Sequence, residues 1–202
     1  LHEELGTAAG RDAEDAGDSP PEELGLLSLI ADFWMVTPGV PDPNAAYAWL
    51  EQVVRLAPER LEDLLRLAEH HEQQQDYEAL AALLGDAVEA EALPVDERHR
   101  LGLRRAEVLA DRLDRTEEAL ALLDALPVTD EPGPRRATLE RKAALLERLE
   151  RLEEAEQTLV VLAETADEPR PLVERAVDLA GRRGDGKARV AHLWRLVETI
   201  PS

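Results

Sequence analysis

The stretch LGLRRAEVLADRLDRTEEALALLDAL, Leu101 to Leu126, is answered 36 residues later by ATLERKAALLERLERLEEAEQTLVVL, Ala137 to Leu162. Adding 36 carries Leu103 to Leu139, Arg105 to Arg141, Leu109 to Leu145, Arg112 to Arg148 and Leu113 to Leu149. It then carries Arg115 to Arg151, Glu117 to Glu153, Glu118 to Glu154, Ala119 to Ala155, Leu123 to Leu159 and Leu126 to Leu162. Composition alone does not hold an offset constant across a turn, so the stretch reads as one structural unit used twice. Within each copy the apolar residues recur at helical spacing. Ala119 and Ala155 fall early in a second helix, where a small side chain lets two antiparallel helices approach closely. Leu123, Leu126, Leu159 and Leu162 continue that face. Ala119, Leu123, Ala155 and Leu159 are therefore the expected packing residues of the repeat.

Outward from this core the chain is a series of apolar-periodic segments divided by short punctuators such as Thr37-Pro38-Gly39, Ala57-Pro58, Gln75-Asp76, Pro132-Gly133-Pro134 and Gly184-Asp185-Gly186. The spacing predicts about ten helices, over 20–36, 43–56, 59–74, 77–91, 97–112, 117–126, 135–149, 153–164, 170–182 and 187–199, and no sheet. Leu, Ala, Glu and Arg supply most of these segments, all strong helix formers, while aromatics are 3% of the chain. Short turns force sequential helices to lie antiparallel as neighbours. Upstream, Leu64, Leu65, Leu67 and Ala68 with Tyr77, Ala79, Leu80, Leu83 and Leu84 repeat the style; downstream, Leu172, Ala176 and Leu179 with Ala188, Leu193 and Leu196 give a degraded end copy.

The phrases Leu103 to Leu109, Arg115 to Leu123 and Asp76 to Leu84 resemble the paired helices of the tetratricopeptide repeat (TPR) family in a degenerate bacterial form. Leu103 and Ala106 fit the bulky and small places of that pattern; Leu109 or Ala110 stands where it wants tyrosine, and the spacing is 36 rather than about 34. The resemblance covers roughly residues 43–199 and is strongest over 97–126 and 135–164. It implies an all-α array of antiparallel helix hairpins, a right-handed α-solenoid of about four to five hairpins. It also implies a concave face that binds peptides or partner proteins, with no catalytic residues. The Lys, Arg and Asn set of the known peptide-clamp types is not reproduced clearly, so no ligand carries over.

The chain has 202 residues, enough for one sizeable domain or two small ones. Residues 1–19 are expected to be a flexible acidic segment and 20–200 the repeat domain; Leu1 to Glu23 hold eight acidic residues against Arg11. Ser19, Pro20, Pro21 and Glu22 form a capping box that should open the first helix. The formal net charge is −21, from 44 Asp plus Glu against 23 Lys plus Arg. That charge repels phosphate backbones and argues against nucleic acid. There is no cysteine, which removes disulfides and thiolate chemistry. The greasiest run, Leu26 to Val36, contains Asp32 and falls short of the roughly 18 apolar residues of a membrane span. The chain begins at Leu1 and reads as an excised or processed form, so the compartment stays open, with the cytoplasm as a working assumption.

Each candidate site has a plainer reading beside it. His70 and His71 are adjacent on a helix and point about 100° apart, which suits one metal ion poorly; His2, His99 and His192 stand isolated. No metal and no cofactor is expected. The paired carboxylates Glu117/Glu118, Glu153/Glu154, Glu3/Glu4 and Glu59/Asp63 read as solvated faces, some pairing with arginine at helical spacing, as Glu147 with Arg151 and Glu62 with Arg66. Gly181, Gly184 and Gly186 are not a phosphate loop: the segment lies between helical patterns and Ala188 replaces the required hydroxyl. Leu24, Leu27, Ile30, Ala31 and Trp34, widened by Leu26, Leu29, Phe33 and Met35, make a helix apolar on almost every side. It either packs on Tyr47, Trp49, Leu50 and Val53 or stays partly exposed for self-association. Trp194, among Val190, Leu193, Leu196 and Val197, is either a terminal contact or core packing. Phe33, Trp34 and Trp194 are thus the candidate protein contacts.

The expected function is a non-enzymatic scaffold or adaptor that holds a partner protein or peptide, its acidity favouring a basic segment. The alternatives are a self-assembling structural subunit, for which a homodimer is kept open, and the regulatory or recruiting region of a larger enzyme.

Overall fold

The computed structural model describes residues 43–198 together with 25–26 and 29–30. The capping box and most of the 20–36 segment lie outside the described residues; 25–26 and 29–30 are helical. From Pro43 onward the described residues form nine helices and no strand. They fall into two compact units that meet in sequence between Gln74 and Gln75.

The first unit is a hairpin of α1 (Pro43–Leu56) and α2 (Leu61–Gln73). Ala46, Leu50, Val53, Ala57 and Ala68 are wholly buried, and Leu64 and Leu67 nearly so. Asp63, also buried, is held 2.7 Å from Arg60 and 3.8 Å from Arg66. Tyr47 of α1 stacks on His70 of α2 with ring centroids 3.4 Å apart and planes 11° apart. Burial, then the charge of His71, lowers the His70 pKa below its usual value, against a weaker pull upward from Glu51. A histidine depressed in this way favours its neutral form when folded. Its contribution to stability is present above the unfolded value near 6.5 and is lost as pH falls through the titration. The His70 imidazole resonances are accordingly expected to titrate with a midpoint below 6.5; a midpoint at or above that value would contradict the stacked, half-buried ring.

The second unit contains α3 (Tyr77–Glu89), α4 (Val95–Asp111), α5 (Thr116–Ala125), α6 (Pro132–Arg148), α7 (Leu152–Thr165), α8 (Arg170–Arg183) and α9 (Gly186–Glu198). Each helix packs on its sequence neighbour, and α4 also meets α6. Their bounds lie within three residues of the expected ones. The largest difference is at α6, which begins at Pro132 rather than 135. Proline lacks the N–H that a first turn leaves unpaired, so Pro132 and Pro134 start the helix instead of standing outside it. Leu80, Leu84, Ala106, Leu109, Leu146, Leu162, Ala176 and Ala180 line the core at 0–1% exposure.

The turns inside the hairpins share one geometry. Asp114, Glu150 and Gly184 occupy the left-handed region at φ 56°, 55° and 74°. The N–H groups of Arg151 and Asp185 then close back on the carbonyls of Leu146 and Ala180 at 2.9 and 3.0 Å. Arginines near these turns, Arg115 and Arg151 at the 36-residue offset and Arg183 beside the last turn, link one such turn to the next. Arg115 reaches Glu78 at 2.6 Å, Arg151 reaches Glu117 at 3.6 Å, and Arg183 reaches Glu153 at 3.2 Å. Beside them Arg148 pairs with Asp114, and Arg182 lies 3.0 Å from Glu150. Arg112, equivalent to Arg148, instead lies over the ring of Tyr77 at 5.3 Å. Each exposed rung contributes little alone, and its value is in fixing the register of neighbouring hairpins. This corrects one expected pair: Glu147 accepts from Arg175 of the following hairpin, while Arg151 turns to Glu154 at 2.7 Å. A partner presented by the neighbouring hairpin displaces the local one.

Candidate protein-binding site

The first helices of two successive hairpins, α4 and α6, leave between them an open cleft of about 440 Å³. Leu103, Pro134 and Ala137 give it an apolar lining, with Gly133 at one side, and Arg100, Arg104 and Glu107 supply charge. Leu103 and its repeat equivalent Leu139 are half-buried, on a face that the hairpin partners do not fully cover.

The connection from α5 to α6 is strapped against this cleft. His99, buried on α4, donates from Nδ1–H to the Pro127 carbonyl at 2.8 Å, and its Nε2 lies 2.8 Å from the Thr138 hydroxyl. Thr129 donates to Asp96 and accepts from the Glu131 N–H at 3.1 Å. Arg100 bridges Glu97 at 2.6 Å and Glu131 at 2.8 Å. The hydrogen bond that Arg100 donates to Glu131, then the charges of Glu131 and Glu97, hold the Arg100 proton more firmly than usual. One wall of the cleft is thereby anchored at three points, as a surface that binds with little reorganisation requires.

Ala119 and Ala155 are wholly buried at the starts of α5 and α7, with Leu123 and Leu159 one turn on at 4% and 0% exposure. Phe33 and Trp34 lie outside the described residues. Trp194 is 67% exposed on α9, which places it on the surface rather than in the core. Of the three candidate contacts, Trp194 is the one that falls among the described residues. Of the cleft residues, the sequence marks Leu103, an apolar position repeated at Leu139, and does not mark Arg100, Arg104, Pro134 or Ala137 as lining one space.

His70 and His71 diverge, with ring centroids 5.9 Å apart and planes 49° apart. Among the described residues no group of three or more His, Asp or Glu is arranged to hold a metal ion. Gly184 ends α8, and the Asp185 carboxylate caps α9 by accepting from Lys187 and Ala188 at 3.1 and 3.0 Å. These bonds, that to Ala188 first, hold its carboxyl below the usual range. No helix among the described residues is long and apolar enough to cross a membrane.

Stacked helix hairpins with an open cleft between their first helices make a TPR-like fold. Solved structures share this fold. A MamA double mutant from strain RS-1 superposes with a TM-score of 0.55 at 14% identity, over 89% of this chain and 96% of that one. YrrB, described as a TPR protein with an unusual peptide-binding site, gives 0.52 at 15%, over 96% and 91%. A putative kinesin light chain from Podosopora anserina with nearly identical TPR-like repeats gives 0.50 at 18%, over 89% and 96%. No protein-family model and no curated protein matches the chain.

Proposed function

We propose that this protein is an interaction scaffold that holds a peptide segment of a partner protein in the cleft between α4 and α6. The observation that carries the reading is the anchored, half-apolar cleft itself, lined by Leu103, Pro134 and Ala137 beside Arg100, Arg104 and Glu107. The peptide-binding site named for YrrB, on a similar fold, supports it. A matching segment carries an apolar side chain for the lining and a basic one drawn by the net charge of −21. The acidic surroundings speed encounter, so binding should weaken as salt rises.

The test is a pull-down at low and moderate salt with the wild-type chain and with Ala137→Arg, which fills the cleft from an exposed position. A saturable partner that loses at least about tenfold in affinity to the variant, ~1.4 kcal/mol, is the expected result. A partner held equally by both chains would remove the cleft from the function.

A further inference from the structure

We propose that the outward face of α9 docks residues 22–36 of a second copy of this chain, so that copies associate head to tail. This surface is separate from the cleft of the proposed function.

Val190, Leu193, Trp194 and Val197 are 53%, 42%, 67% and 56% exposed. They fall at i, i+3, i+4 and i+7, one continuous stripe on a single helix. His192 is buried on the opposite side, where α9 meets α8. The corresponding second helices of the other hairpins do not look like this. Exposed positions on α5 include Glu117, Glu118 and Asp124, and those on α7 include Glu153, Glu154 and Glu164 with a single large apolar one, Val161, where α9 has four. The stripe is therefore not the ordinary exterior of a repeat. Its flanks are also reversed in sign: Lys187, Arg189 and Arg195 are exposed and, among the described residues, form no ion pair. A cationic, apolar helix face in a chain of net charge −21 selects an acidic, apolar occupant.

The sequence holds such a segment. Residues 22–36 join Glu22, Glu23 and Asp32 to the longest apolar run of the chain and follow Asp12, Glu14, Asp15 and Asp18. Two of its residues, Leu26 and Leu29, are 59% and 66% exposed. The stripe of α9 and these two leucines are thus exposed, and the charges of the segment and of the stripe's flanks are opposite. In the proposed contact the segment of one copy covers the α9 stripe of the next. Such a contact joins unlike patches, so it propagates from copy to copy rather than closing as a symmetric pair.

The full chain is to be followed by light scattering from about 10 µM to about 1 mM, a range chosen because a contact of this size is expected to be weak. Wild type, Leu29→Glu, Trp194→Glu and an equimolar mixture of the two variants are compared. The expected result is a wild-type mass that rises with concentration, two variants that stay monomeric alone, and a mixture that stops at two copies. The mixture stops there because each variant keeps one intact half of the contact. A Leu29→Glu chain that still associates would mean that α9 docks on something else, and would overturn the proposal. A wild type that stays monomeric throughout would overturn it as well. Both substituted positions are exposed, so far-ultraviolet circular dichroism should be unchanged; should either variant lose helix, Leu26→Glu and Val190→Glu take their places. Ala137→Arg is expected to assemble as wild type does, which separates this proposal from the cleft.

Discussion

Leu159→Ala is expected to lower the unfolding free energy by about 2–5 kcal/mol, the range for emptying a buried leucine site in a well-packed core. Leu159 has no exposed surface, and α7, which carries it, packs on both α6 and α8. A helix held by a neighbour on each side has little freedom to shift into a void. Rungs of ion pairs tie the turns on both sides of α7, which further limits collapse. Urea unfolding followed by circular dichroism reads the change directly. A loss under about 1 kcal/mol would mean that the site collapses freely, contrary to the packing described. A second, separate transition in the variant would show that the hairpins on either side unfold independently, as stacked repeats with a weakened interface do.

The second large effect is expected at Glu156. Its side chain is almost wholly buried, accepts from Arg183 at 2.6 Å and from His192 Nε2–H at 2.7 Å, and so joins α7, α8 and α9. Glu156→Ala removes the acceptor for a buried imidazole whose Nδ1 has no hydrogen-bond partner among the described residues. Stranding a buried polar group in this way is expected to cost about 2–4 kcal/mol. Stepping by 36 residues passes from Leu120 through Glu156 to His192, and Leu120 is buried as an ordinary core residue. The double variant Glu156→Leu with His192→Leu is therefore expected to recover most of the loss, since an apolar pair can replace a buried polar one at little cost. If the double variant were as unstable as the single one, the network would matter for more than filling space. Thermal unfolding of both variants beside wild type decides it.

The helices were legible because their cause is local. Apolar spacing, the 36-residue offset and the turn residues act within one segment, and α1 begins and ends where the pattern of 43–56 puts it. What the sequence did not show depends on partners 27 to 39 residues away on other helices. His99 finds Pro127 and Thr138, Glu156 finds Arg183 and His192, and the repeated arginines find carboxylates one hairpin back. The repeat displayed Arg112/Arg148 and Arg115/Arg151 as equivalent without displaying what they touch. Glu147 shows the same limit, since a local rule gave it Arg151 and the next hairpin supplies Arg175. The cleft is harder still to read, because it is a space between α4 and α6 and no single segment encodes it. Trp194 follows the apolar pattern of a core residue, and only the lack of a covering element among the described residues turns it outward.

The arginine rungs also give the architecture a grammar for growth. Arg151 addresses Glu117, and Arg148 addresses Asp114, across the same turn-to-turn step. A tandem duplication of residues 116–151 would present each new arginine with a carboxylate at the same spacing, and Glu150 of the inserted copy would meet the next Arg148 as it now meets Arg182. Whole hairpins can thus be gained or lost with every junction still matched in charge, so the length of the array is free to vary while its exterior keeps one design.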